Sequence, residues 1–220
     1  MKTKDIMTRL APRIRPQILS ISETRLLLQR GIDPVTAPRA LLQLFAAHRR
    51  GEVDEQRWEN IQPGAPIQIS TDRDLWWRHV PFHLVLIPWL APYLRLSPKG
   101  LIDPAPQRSR RRLALAFRNL GVKLHLNLWR RSYAAHRFAI TRSWPAVALE
   151  MGLHARFARE SFLSPVNDSD AEAFFGLTPT ACGRSNWADE VAASFAAKSM
   201  GIANDQDQAR ATTADDQPPF

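Results

Sequence analysis

The chain of 220 residues holds a single cysteine, Cys182, and two tyrosines, Tyr93 and Tyr133. One thiol excludes both an internal disulfide and a multi-cysteine zinc site. The histidines do not replace it, because His48 and His154 stand at no spacing that predicts a metal site. Long apolar runs are missing as well. Hydrophobic residues make up 45% of the chain, but Arg, Glu, Asp or Pro interrupts them every few positions. No run reaches the roughly 18 residues that span a bilayer. The first residues, MKTKDIMTRLAPRIRP, are basic without an apolar stretch or small-residue cleavage site, which argues against secretion. Internal repeats of the solenoid kind are absent. These absences predict a soluble, cytoplasmic protein with one main domain, no membrane partner, no metal and no cofactor.

What the chain has in excess is positive charge. The net value is +9, and it is unevenly spread. From Gly183 onward three basic residues stand against six acidic ones, so the chain before that point carries +12. Arginine supplies most of this, and its planar guanidinium suits bidentate contact with phosphate oxygens. Charge alone leaves two readings open, a nucleic-acid surface or a solvated basic one.

Local signals place the elements. Residues 1–18 hold two prolines among basic residues and predict an extended arm or linker remnant. Ser20 followed by Glu23 is a capping-box pattern, opening a helix that runs to Gly31. A second helix follows Thr36, with Pro38 in its first turn and Leu41, Leu42, Leu44 and Phe45 on its buried face. Glu52 to Asn60 is a polar stretch. Pro66 to Ser70 and Trp77 to Pro81 alternate apolar and polar residues, predicting an antiparallel hairpin. His83 to Leu94 is helical in character, with kinks expected at Pro88 and Pro92. A basic helix, Gln107 to Leu120, carries Arg108, Arg110, Arg111 and Arg112. Further helices are predicted at Leu128 to Ile140, Trp144 to Met151, Ala155 to Phe162, and Asp168 to Phe175, the last capped by Asn167. Residues 181–220 are acidic and rich in Ala, Ser, Asp and Gln, which predicts a largely disordered tail.

The segment Ala46 to Ile61, AAHRRGEVDEQRWENI, resembles the first signature of the tyrosine recombinases, the phage integrase family. Arg49 falls on the family's first catalytic arginine and Glu52 on its acidic neighbour. Arg130-Arg-Ser-Tyr-Ala-Ala135 is similar to the family's Arg-His-Ser-Phe-Ala box, placing Arg130 on the second catalytic arginine. Ala148-Leu-Glu-Met-Gly152 resembles the Leu-Glu-Leu-Gly that precedes the late histidine, and Asp170 to Phe175 resembles a tail found in some members. The boxes occur in the family's order from about Pro16 to Pro179. The resemblance implies an α+β fold, mainly helical with a small antiparallel sheet, over residues 19–180. It also implies double-stranded DNA as partner, with a homologous active recombinase or self-association as further possibilities.

In that family two arginines hold the scissile phosphate, a hairpin lysine and His or Trp positions assist, and a tyrosine attacks phosphorus. Fixed cations of this kind neutralise charge gathering on phosphate oxygens. Here the other posts have degenerated. The lysine aligns with Arg73, which cannot release a proton near neutral pH. The histidine before the second arginine is Asn127, and Leu153 occupies the late histidine's place, with His154 one residue further. The nucleophile position is Phe162, a ring without oxygen. Ser161 and Ser164 flank it without an activating base, which favours structural roles. A core-binding domain normally precedes the catalytic one, and some 18 residues stand there here, so a weakened hold on DNA is expected.

The sequence therefore predicts a catalytically silent, DNA-binding relative linked to recombination or integration by a mobile element. Arg49 and Arg130 are its phosphate clamp, and Arg108, Arg110, Arg111, Arg112 and Arg131 contact the DNA. Two alternatives stand beside it: an active recombinase receiving its nucleophile from another subunit, and a folded remnant without a binding role.

Overall fold

The computed structural model describes residues 17–70, 77–96, 99–125 and 127–199, with the side chains of residues 70, 77 and 199 left aside. The proposed arm up to Pro16 and residues 200–220 lie outside it, as does Arg73. Among the described residues, helix α1 (Ile21–Leu26) opens on Ser20, whose hydroxyl accepts from the Glu23 backbone while the Glu23 carboxylate accepts from the Ser20 backbone. Such a cap contributes about 1 kcal/mol. The chain continues through a looser turn, Leu27–Gly31, into α2 (Ala37–Phe45).

Helix α2 is buried on every side, Arg39 and Gln43 included, which marks it as the central helix. The polar stretch after it takes part in α3 (Arg50–Glu55) and a short turn, Trp58–Asn60. Six residues carry too little periodicity to announce a helix. Strands β1 (Ile67–Ser70) and β2 (Trp77–Val80) pair antiparallel, with Ile67 opposite Val80 and Ile69 opposite Arg78. Ile67, Ile69 and Val80 are buried, so this face of the hairpin turns inward and takes Arg78 with it.

Helix α4 (Leu86–Arg95) begins three residues later than the sequence suggests, which leaves Pro88 in the first turn where its missing N–H is harmless. It runs through Pro92 to Arg95 as one helix. Helices α5 (Pro106–Asn119), α6 (Leu128–Thr141), α7 (Trp144–Met151), α8 (Ala155–Phe162) and α9 (Asp168–Phe175) follow close to their expected bounds. Asn167 caps α9 by accepting from the Asp170 backbone at 2.6 Å. The main core gathers around α2, α4 and the hairpin, and a second cluster of Ala47, Tyr133, Ala134, Val147, Met151 and Phe162 lies between α6, α7 and α8.

The expected tail boundary at residue 180 is corrected. Beyond it come a turn, Thr180–Cys182, and α10 (Trp187–Ser199), which packs on α4. Trp187 is 2% exposed, meets Trp89 edge-on at 5.1 Å, and donates its indole N–H to the Trp89 carbonyl at 2.9 Å. Arg184 lies over the Trp187 ring and donates to the carbonyls of Leu28 and Ile32. Two anchors of this size outweigh a polar composition that lacks a long apolar stripe. No helix among the described residues is long and apolar enough to cross a membrane.

Candidate functional site

The two arginines singled out from sequence meet at one end of α7. Arg49 lies between α2 and α3, and its Nη2 donates to the Gly152 carbonyl at 2.7 Å. Arg130 projects from the first turn of α6, its Nη2 donating to the Met151 carbonyl at 2.6 Å and its Nε to the Ala47 carbonyl at 3.1 Å. The last carbonyls of a helix have no intrahelical donor and carry partial negative charge, so guanidinium groups satisfy them well. Gly152 allows the approach. It holds φ +61°, and a Cβ there would stand 2.8 Å from Arg78 Cδ.

That approach brings in a third cation, Arg78 of β2, which belongs to none of the sequence boxes. It donates to the carbonyls of Glu150 and Ala47 and pairs with Glu52. Its alternation with Val80 was the available signal, since both occupy the inward phase of the strand. Ala47 binds Arg130 and Arg78 through one carbonyl and sits at φ +51°, a conformation that costs an alanine about 1–2 kcal/mol. The two donors offset that strain.

Electrostatics ties the group together. Burial, then the neighbouring Arg78 and Arg49 charges, pushes the Arg130 guanidinium well below the ordinary arginine range. Burial likewise lowers Arg78, against the pull of Glu52. Glu52 is desolvated, which disfavours its charge, yet Arg78 and the Arg49 backbone N–H hold it below the usual carboxylate range. Three cations against one carboxylate leave an excess of positive charge. Arg49 gives it an outlet, because its side chain is 38% exposed while that of Arg78 is 9%.

The remaining predicted positions surround this cluster unequally. Phe162 is 4% exposed and packs in the second cluster with Ala47 and Met151, the residues whose carbonyls bind Arg130. Asn127 is exposed at the start of α6 with φ +59° and makes no side-chain cap. His154 caps α8 through the Arg156 backbone at 3.3 Å. Arg131 is half-buried. The two tyrosines are engaged elsewhere. Tyr133 donates to Glu150 at 2.7 Å and contacts His83 at 3.0 Å, and burial with Glu150 holds its hydroxyl well above its ordinary range. Tyr93 donates to the Pro34 carbonyl at 2.7 Å. Both phenols are thus hydrogen-bonded to groups other than the three arginines.

The basic helix does not present a single face. Arg108 and Arg111 are exposed, while Arg110 turns toward Asp54 and Arg112 pairs with Asp33 at 2.9 Å. Residues two apart on a helix diverge, so a continuous run of arginines cannot share one surface. Behind α5, a cleft of about 510 Å³ opens between α2, α5 and the start of α6, with Arg130 on its border.

The architecture has counterparts among solved structures. The crystal structure of XerA recombinase superposes with a TM-score of 0.59 at 15% identity, covering 75% of this chain and 66% of that one. The integrase from mycobacterium phage Brujita superposes with a TM-score of 0.54 at 16% identity, covering 82% and 65%. The chain thus spans just under two thirds of the length of either protein, and what it shares with them is the fold. No protein-family model and no curated sequence matches it.

Proposed function

We propose that the protein binds double-stranded DNA through a phosphate clamp of Arg49 and Arg130, and that it does not cleave the strand. The observation that carries this reading is the convergence of three guanidinium groups on the C-terminal end of α7, backed by a phenyl ring at Phe162. A phosphate brought to Arg49 would meet cations already fixed by carbonyls, with little reorganisation. The likeness in fold to a recombinase and a phage integrase, together with the ordered sequence boxes, supports a role in recombination or integration. The acting unit in this reading runs from Leu19 to Ser199.

Two measurements test it. Arg49→Glu, a partly exposed position, should weaken duplex binding at least tenfold while leaving the thermal melt within a few degrees of wild type. Nicked suicide duplexes should give no covalent protein–DNA adduct. Equal binding by both proteins removes the clamp, and an adduct shows that a nucleophile reaches the site.

A further inference from the structure

The cleft between α2, α5 and the start of α6 is built as a site of its own. Arg39, Arg50, Arg110, Arg130 and His125 line it, and no carboxylate does among the described residues. Arg39 is the most telling of them. It is 1% exposed, and although Nε and Nη2 pair with Asp103 and Asp54, its Nη1 is buried without a partner. Arg110 Nε and His125 Nε2 are buried without partners as well. A buried donor left unsatisfied costs about 1–3 kcal/mol, so the unpaired guanidinium N–H groups of Arg39 and Arg110, two residues that border a single cleft, favour an acceptor there.

Leu113, Phe117, Leu124 and Trp129 complete the lining, beside the basic residues on the same elements. A backbone phosphate lying on a surface needs no such apolar groups. Cations set among apolar side chains, in about 510 Å³, suit a ligand with a phosphoryl head and a flat, weakly polar body. We infer that this cleft binds a nucleotide by its phosphoryl group, with the base against Leu113 and Trp129. The nucleotide is either free in solution or an unpaired residue at the end of a DNA strand. The site shares Arg130 with the proposed clamp, but Arg49 is not part of its lining, so loss of Arg49 alone should leave it binding.

Calorimetric titration of the full chain with dAMP, deoxyadenosine, and duplexes with blunt or unpaired 5′-phosphorylated ends tests it. A free-nucleotide site binds dAMP and not deoxyadenosine. A strand-end site prefers the unpaired duplex over the blunt one. In either case the double variant Arg50→Ala, Arg110→Ala, altered at an exposed and a partly exposed position, weakens that binding at least tenfold, with circular dichroism confirming its fold. The inference is overturned if neither dAMP nor the unpaired end is recognised, or if the double variant binds like wild type. It is equally overturned if Arg49→Ala abolishes the same binding, which would assign the ligand to the clamp.

Discussion

The Arg49 guanidinium donates to the Gly152 carbonyl at 2.7 Å across 103 residues of sequence, joining the loop after the central helix to the end of α7. Arg78 reaches the same turn from the hairpin and Arg130 from α6, so three separate parts of the chain meet there. Disturbing the buried Arg78 or Arg130 acts on both stability and charge, whereas disturbing the partly exposed Arg49 acts chiefly on charge.

Arg78→Met should be the most damaging of the three substitutions. It leaves Glu52 buried without its main counter-charge, and breaking a buried pair from one side costs about 3–5 kcal/mol. Urea denaturation measures this. Adding Glu52→Gln to the same chain should recover part of the loss, and no recovery would mean that the carbonyl contacts of Arg78 dominate.

Phe162→Tyr restores a phenol at the position the recombinase resemblance assigns to the nucleophile. Its hydroxyl would enter a packed apolar cluster, at a cost of about 1–3 kcal/mol if it finds no partner. We expect a lowered melting temperature and no covalent adduct on a nicked duplex. Adduct formation would show that the ring swings out to the arginines.

Stability should fall on mild acidification. Burial, then the Arg78 charge, lowers His48 to about 4, and burial lowers His83 to about 4. Between their unfolded value near 6.5 and 4, the unfolded chain binds protons that the folded one refuses, so stability decreases as pH drops through this window and levels off below it. His48 alone accounts for up to about 3 kcal/mol. Glu52, also lowered in the folded state, acts in the same direction as pH falls further. Urea midpoints from pH 7.5 to 4 follow the loss, and His48→Gln should flatten the segment above pH 4.

On α5, Arg108→Gln with Arg111→Gln should reduce the salt dependence of DNA binding. Removing one arginine–phosphate interaction lowers the slope of log K against log salt by about 0.9. Arg112→Gln, which removes the Asp33 ion pair, should change that slope less than the exposed pair does. Titrations at several salt concentrations separate the two, and equal slopes in all proteins would exclude α5 from the DNA interface.

Trp187→Ala should destabilise the protein by about 3–5 kcal/mol, the range for emptying a buried tryptophan site. Thermal melting measures it. A melt indistinguishable from wild type would return residues 181–199 to the dispensable tail that their composition suggests.

Most helix positions, α3 and α10 apart, were legible in the sequence because their signals are local. Ser20 with Glu23, Pro38 after Thr36, and Asn167 before Asp168 act within one turn of chain, so they hold whatever the surroundings. The same holds for the hairpin's alternation and for the order of the boxes around Arg49 and Arg130. Tertiary structure decided the rest. Arg78 becomes a member of the site only because β2 turns its inward face toward the end of α7, and α10 folds only because Trp89 and Leu28 lie within reach of Trp187 and Arg184. Arg110 and Arg112 leave the exposed face of α5 because Asp54 and Asp33, far away in sequence, stand beside them. A charge is visible in a sequence, but its partner is chosen by packing.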